Sequence, residues 1–370
     1  MSTARNARMD YFKGFLMLGV ILGHAITALK AGSAGDVAIH TFVRTYDMPF
    51  FILISGLFLS KSVDKYVWWK NILNKAAAIL IPLILWRSIF YACNVVIGFV
   101  LNGSLNISIG AFVGYLSGSW FLWAAFICAM IMICICRIFK SQGLRLGAAI
   151  AVSVLCLFIP KDIFNISFMF PFFAIGFFLE WITSKINDKA LDIIKSVSVL
   201  AFIAMYCFWK GEYSVWDSPA YILGGDTVHT LLITVFRFVI GCTGCITVTY
   251  IMDYLFTRNG AVIGFINKQL VSAGKNTLII YLFQGFVLEF VFAACMEKVV
   301  EMLGYNPLVS NLNLLGFVIA PIVAFVCMMV LNIIINLMKK IPCIGKYIFG
   351  FKIIDALKKE PDTVKGSTNE

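Results

Sequence analysis

The chain has 370 residues, of which 61% are hydrophobic and only 13% charged, with a mean hydropathy of +0.92 and a formal net charge of +11. This composition excludes a soluble globular protein, because so much apolar surface cannot all be buried in a core. It is typical of an integral membrane protein. Contact with the lipid bilayer and its anionic headgroups explains the positive charge, so we expect no nucleic-acid partner.

Ten apolar segments follow one another along the chain, and nearly all are long enough to cross a bilayer core of about 30 Å as helices. We therefore predict an all-α fold, a polytopic membrane helix bundle of about ten transmembrane helices. Residues 1–340 form one transmembrane domain, and residues 341–370 form a cytoplasmic tail with a disordered end. The predicted spans are 10–29, 41–60, 74–101, 120–136, 146–159, 166–183, 193–209, 230–256, 276–296 and 312–338.

Lysine and arginine are distributed very unevenly between the connecting segments. With a cytoplasmic N-terminus, 23 of them fall on the cytoplasmic side and 4 on the outer side. The positive-inside rule then predicts that both termini are cytoplasmic and that the chain lies in a bacterial inner (plasma) membrane or its equivalent. We expect the first span to be retained, because its apolar run is too long for the core of a cleaved signal peptide.

The first span, MDYFKGFLMLGVILGHAITAL, carries a lysine near its start and a histidine two-thirds of the way along. Lys13 and His24 are eleven residues apart, which is about 20° past three helical turns, so they share a face and lie about 16 Å apart along the axis. Polar groups are costly inside a membrane and usually face a cavity or a partner, although Lys13 could instead extend to the headgroups. Gly19 and Gly23 have the spacing of a close helix contact.

Other polar residues inside the spans lie at about the depth of the first-span histidine, which indicates a site where several helices meet. Two simpler interpretations stay open. Arg44 and Asp47 could merely neutralise each other. Arg87 and Arg237 could be structural partners of Glu289, or of backbone carbonyl groups at the break made by Pro49. The residues of this polar layer are Arg44, Asp47, Arg87, Arg237, Gln284 and Glu289.

The eleven cysteines lie almost entirely within the spans, where a thiol behaves as a small hydrophobic group. Cys242 and Cys245 form a C-x-x-C pair, but the sequence has no second pair at the spacing of a zinc site. We therefore expect neither a metal site nor a disulfide.

Five short motifs occur in order along the chain: DYFKGFLMLGVILGH, DMPFFILISGLFLSKS, NKAAAILIP, SWFLWA and AGKNTLIIYLFQGF. Together they are similar to the signatures of the membrane acyltransferase family 3, most closely its fucose O-acetylase-like branch, from Asp10 to about Glu289. The sequence departs from the family pattern at three places. Lys13 stands where arginine is usual, Gln284 stands where histidine is common, and one basic residue before Pro82 is missing.

The resemblance implies a membrane O-acyltransferase. Such an enzyme moves an acyl group, most often acetyl, from cytoplasmic acyl-CoA to a hydroxyl of a cell-surface glycan or its lipid-linked saccharide precursor. Acetyl-CoA would be a donor substrate, and no permanently bound cofactor is expected. His24 would be the general base or a transient acyl carrier, Asp47 would orient its imidazole, and Arg44 would stabilise the oxyanion.

The remaining candidate residues divide between donor and acceptor. Lys13, Lys70 and Lys75 would bind the CoA phosphates at the cytoplasmic mouth. The alternative function is a transporter of a lipid-linked sugar or a small solute such as an amino acid, which a polar layer also suits. The sequence lacks the inverted repeat typical of carriers, and this counts against transport. Substrate or transition-state contacts are assigned to Arg87, Trp120, Arg237, Gln284 and Glu289.

Overall fold

The computed structural model describes residues 6–30, 36–103, 107–159, 163–214, 227–258 and 260–341, and all regular secondary structure in this part of the chain is helical. The helices are α1 (Ala7–Lys30), α2 (Ala38–Val43), α3 (Asp47–Ser60), α4 (Trp68–Asn102), α5 (Ile109–Ser117), α6 (Trp120–Ile138), α7 (Gln142–Cys156), α8 (Ile166–Thr183), α9 (Asp188–Tyr206), α10 (Thr227–Phe256), α11 (Ala261–Gly274), α12 (Thr277–Gln284), α13 (Ala293–Leu303), α14 (Leu312–Leu314) and α15 (Ala320–Lys340). Two π-helical segments, Gly285–Phe292 and Leu315–Ile319, join α12 to α13 and α14 to α15.

Within the described residues, eight helical segments are long and apolar enough to cross a membrane, and each coincides with a predicted span. The polytopic, all-α membrane fold is thereby confirmed. The other two predicted spans are helical as well. Span 146–159 falls on α7, which has only 15 residues, and span 193–209 falls on α9, whose first two turns carry several charged side chains. From residue 342 onward, the predicted cytoplasmic tail lies outside the described residues.

The second predicted span is interrupted near its start. α2 ends at Val43, residues 44–46 form a turn, and α3 begins at Asp47. Pro49 fits into the first turn of α3, where a backbone N–H has no partner within the helix. The Asp47 carboxylate accepts a hydrogen bond from the Met48 backbone N–H at 2.7 Å. Arg44 and Asp47 therefore flank a junction between two helices.

The described chain divides into two compact units, the first comprising Met1–Phe51 and Thr183–Leu337. In this unit α1 packs along α11 and also contacts α2, α12 and the first π-helical segment. Two glycines allow α1 and α11 to touch through their backbones. A Cβ atom added at Gly274 would lie 1.7 Å from the Asp10 carbonyl oxygen, and one at Gly14 would lie 2.0 Å from that of Leu270. Such close contacts are typical of membrane helix pairs.

The second unit comprises Ile52–Ile182 and Met338–Glu370. Here α3 and α8 touch through Gly56 and Gly176, since added Cβ atoms would lie about 2 Å from carbonyl oxygens of the opposite helix. α4 packs against α5 and α6. Arg145, at the start of α7, forms a two-pronged ion pair with Asp64, with N–O distances of 3.1 and 2.9 Å.

Candidate active site

A histidine of α1 and a glutamate of the first π-helical segment form a close polar contact. His24 Nδ1 lies 2.6 Å from Glu289 Oε1, and the two side chains are 23% and 49% exposed. Glu289 belongs to the π-helical segment Gly285–Phe292, a wider turn that often occurs at functional sites. A neutral imidazole that donates from Nδ1 to this carboxylate keeps its lone pair on Nε2.

Next to this pair, the side chain of Arg44 is held by two neighbours. Its Nε donates to His40 Nε2 at 3.3 Å, and its Nη1 lies 3.5 Å from Asp47 Oδ2. A Cβ atom added at Gly23 would lie 3.1 Å from Arg44 Nη2 and 3.4 Å from His40 Cδ2. The guanidinium therefore lies over Gly23, and His24 is within electrostatic range of both His40 and Asp47.

The glycine spacing on α1 explains how these side chains approach. A Cβ atom added at Gly19 would lie 3.1 Å from Val43 Cγ1 of α2, so both Gly19 and Gly23 face the segment that carries His40 and Arg44. The predicted close helix contact is confirmed. A larger side chain at Gly23 would push the guanidinium away from α1, because the space is already filled.

The assignment of the orienting carboxylate differs between sequence and structure. The carboxylate that contacts His24 is that of Glu289, which was predicted to contact the substrate or transition state. Asp47, predicted to orient the imidazole, instead contacts Arg44 and the Met48 N–H, and its side chain is only 1% exposed. Asp47 therefore holds the guanidinium and begins α3.

The C-terminal end of α1 is fixed by polar contacts one to two turns beyond His24. Asn306 donates from Nδ2 to the carbonyl oxygens of Leu29 and Lys30, at 2.9 and 3.1 Å. Lys30 also forms an ion pair with Asp36. The hydrogen bond from Lys30 lowers the pKa of the Asp36 carboxyl group below its ordinary value. These contacts occupy the last carbonyl groups of the helix and limit its fraying.

Lys13 lies on the same uninterrupted helix as His24, so the predicted separation of about 16 Å along the axis applies. Its ammonium group is 2.7 Å from Asp10 Oδ1, and the Asp10 side chain is only 3% exposed. The positive charge of Lys13 is therefore partly balanced by a carboxylate one turn earlier.

Two further predicted residues are buried in the first unit. Arg237 of α10 is 1% exposed, and Gln284, the last residue of α12, is 2% exposed. Gln284 Nε2 donates to the Tyr281 carbonyl oxygen at 3.4 Å, and its Oε1 has no hydrogen-bond partner in the described part of the chain. Gln284 thus offers a buried acceptor five residues before Glu289.

The remaining predicted residues belong to the second unit. Arg87 Nε donates to Ser119 Oγ at 2.6 Å, and its guanidinium carbon lies 5.3 Å from the centre of the Tyr115 ring. This arrangement links α4 to the segment between α5 and α6, next to the first residue of α6. The predicted residues of this unit are Lys70, Lys75, Arg87 and Trp120, of which Lys70 and Trp120 are buried.

Sequence reasoning missed two polar features of the first unit. One is His40, although its position four residues before Arg44 is a helical spacing that could have identified it. The other is a buried network in which Asn276 Nδ2 donates to Asn332 Oδ1 at 2.7 Å and to Asn336 Oδ1 at 3.0 Å, while Asn332 Nδ2 donates to Ser272 Oγ at 2.8 Å. This network links α15 to the end of α11 and the residues just before α12.

Comparison with known proteins identifies the family of the chain. The family model described as the acyltransferase domain, of acyltransferase family 3, matches residues 6–337. The chain is also 21% identical over 294 residues to the nodulation protein NolL of Sinorhizobium fredii (strain NBRC 101917 / NGR234), a match that covers 76% of this chain and 78% of that protein. No solved structure gives a significant match. The chain therefore belongs to the membrane acyltransferase family 3 and is a membrane acyltransferase.

Proposed function

We propose that this acyltransferase moves an acyl group, acetyl in the first instance, from acyl-CoA to a hydroxyl group of a glycan, with His24 at the reacting centre. The observation that carries the proposal is the 2.6 Å contact between His24 Nδ1 and Glu289 Oε1. When Nδ1 donates to the carboxylate, Nε2 has a free lone pair. The same carboxylate would stabilise the imidazolium cation. This is the arrangement that general-base and nucleophilic histidines share.

Two routes lead from this arrangement to products. In direct transfer, Nε2 takes the proton of the acceptor hydroxyl while the oxygen attacks the thioester carbonyl carbon. The carbon–sulfur bond then breaks, and the CoA thiolate receives the proton from His24. In the stepwise route, Nε2 itself attacks the thioester carbonyl carbon, the carbon–sulfur bond breaks and CoA leaves as a thiolate. The acceptor oxygen then attacks the acyl carbon, the carbon–nitrogen bond to the imidazole breaks, and the hydroxyl proton passes to the CoA thiolate. Both routes form a tetrahedral oxyanion, which the Arg44 guanidinium could stabilise.

The donor enters from the cytoplasm in this proposal. Its phosphates would bind cationic side chains at the cytoplasmic mouth, with Lys13, Lys70 and Lys75 as the candidates. Lys13 and His24 are about 16 Å apart along α1, a distance that an extended pantetheine arm can span. The ion pair between Lys13 and Asp10 lowers the net charge available for phosphate at that position.

The acceptor is proposed to reach His24 from the opposite face of a bacterial inner membrane, as a cell-surface glycan or its lipid-linked precursor. The positive-inside charge distribution supports this orientation. Arg87, Trp120, Arg237 and Gln284 are then candidates for acceptor or transition-state contacts. Each combines a polar or aromatic group with a position inside a membrane-spanning helix.

Acetyl transfer in membranes tests the proposal directly. Membranes with the wild-type protein, incubated with [¹⁴C]acetyl-CoA and no ion gradient, should form radiolabelled glycan and release CoA. His24→Ala should abolish both products, whereas His229→Ala, the matched control on α10, should not. If CoA release and glycan labelling match those of membranes lacking the protein, acetyl transfer is wrong. Repeating the assay with succinyl-CoA identifies a longer acyl group.

A further inference from the structure

His40, on α2, is a second imidazole beside the candidate active site. It lies four residues before Arg44, and its Cδ2–Nε2 edge faces Gly23 of α1. Its Nε2 accepts a hydrogen bond from Arg44 Nε at 3.3 Å. His40 is therefore directly coupled to the guanidinium that flanks His24.

The contact with Arg44 determines which ring nitrogen of His40 carries the proton. A guanidinium only donates hydrogen bonds, so Nε2 must present its lone pair. The neutral ring then has its proton on Nδ1. That Nδ1 atom is buried and has no hydrogen-bond partner within the described residues. A buried N–H donor without an acceptor is costly and rare in native proteins, so it calls for a specific explanation such as a ligand.

The position of His40 indicates which substrate could supply the missing acceptor. α2 follows the C-terminal end of α1, on the side of the molecule where Lys30 and Asp36 form their ion pair. In the proposed orientation this is the outer side, from which the hydroxyl-bearing acceptor arrives. Saccharides offer hydroxyl and ring oxygens, which accept hydrogen bonds from imidazole N–H groups.

We propose that His40 Nδ1–H donates a hydrogen bond to an oxygen atom of the acceptor saccharide, and that His40 is thus a substrate-binding residue of this site. The inference rests on the proposed function, because the saccharide is the acceptor of the acyl group. The imidazole ring of His40 would then have two roles. Nε2 fixes Arg44 beside His24, while Nδ1 binds the acceptor.

The tautomer can be tested without any enzymatic activity. The chain contains only three histidines, so the ring nitrogens of ¹⁵N-histidine-labelled protein in bilayers can be assigned by comparison with His40→Gln. We expect a protonated Nδ1 and an unprotonated Nε2 for His40. A ring protonated at Nε2, or at both nitrogens, would overturn the proposal, because Arg44 could then not donate to it.

Two variants with amide side chains, His40→Asn and His40→Gln, separate the two roles of the ring. The amide group of asparagine reaches the position of Nδ1 but is too short to meet Arg44. The amide of glutamine reaches the position of Nε2 and can accept from Arg44, but it leaves no donor at Nδ1. The probe is the methyl glycoside that the wild-type protein acetylates fastest in a panel of methyl hexosides and methyl deoxyhexosides.

His40→Gln should raise the KM for this glycoside about three- to tenfold, the effect of one lost hydrogen bond, and leave the KM for acetyl-CoA unchanged. His40→Asn should keep the glycoside KM near the wild-type value and lower kcat, because Arg44 is released. If glutamine preserves the glycoside KM, His40 acts only through Arg44 and the proposal is wrong. Wild-type protein that acetylates no glycan and no glycoside would refute the proposed function, whereas the tautomer measurement would still decide the state of His40.

Discussion

Replacing Glu289 by glutamine tests whether its carboxylate stabilises the imidazolium of His24. Glutamine has nearly the same shape and can still accept a hydrogen bond, so mainly the negative charge is lost. Two opposite charges about 4 Å apart attract by about 1 kcal/mol in water and about 4 kcal/mol at an effective dielectric constant near 20. Because the Glu289 side chain is 49% exposed, we take the lower part of this range, about 1–3 kcal/mol.

This loss applies to the transition state, in which the imidazole carries positive charge, and it corresponds to a fall in kcat of about 5- to 150-fold. The assay is the initial rate of CoA release with acetyl-CoA and glycan acceptor, at protein levels matched by immunoblot. Glu297→Gln, an exposed carboxylate on α13, is the matched control and should keep the wild-type rate. A Glu289→Gln rate within twofold of wild type would refute the stabilising role of this carboxylate.

Two further predictions concern stability: one tests helix packing in the first unit, and the other tests an ion pair in the second. Gly274→Ala should lower thermal stability by the equivalent of at least about 1–3 kcal/mol, because its Cβ would lie 1.7 Å from the Asp10 carbonyl oxygen. Gly264→Ala on the same helix has open space around it and should change the unfolding midpoint little; equal midpoints for the two variants would contradict the packing described for α1 and α11. Asp64→Asn should cost about 0.5–1 kcal/mol by weakening the ion pair with Arg145, and an unchanged midpoint in detergent would show that this pair adds no stability.

The sequence predicted the helices well, because apolar runs about 20 residues long have few alternatives in a bilayer. Counting residues along one helix also sufficed to put Lys13 and His24 on the same face of α1, since α1 is uninterrupted. For the short α7 and for α9, whose start is charged, hydropathy alone does not decide whether the helix spans the membrane. Their helices exist, but they lack the length or the apolar character of the other eight.

The partner of His24 was harder to predict, because it depends on local irregularities of the helices. Depth counting brought Asp47 and Glu289 to similar levels and could not choose between them. The choice depends on the π-helical turn that carries Glu289 and on the break before α3, which directs Asp47 toward Arg44 and Met48. Neither irregularity follows from residue spacing in a regular helix.

The acyl transfer rate of His24→Ala tests the role of this imidazole, provided that the variant has wild-type abundance and a wild-type unfolding midpoint. We expect transfer from [¹⁴C]acetyl-CoA to glycan to fall at least about 10²-fold, because neither proton transfer nor acyl transfer through Nε2 is then possible. The matched His229→Ala variant should remain active. Transfer by His24→Ala at the wild-type rate would contradict the central role of this imidazole.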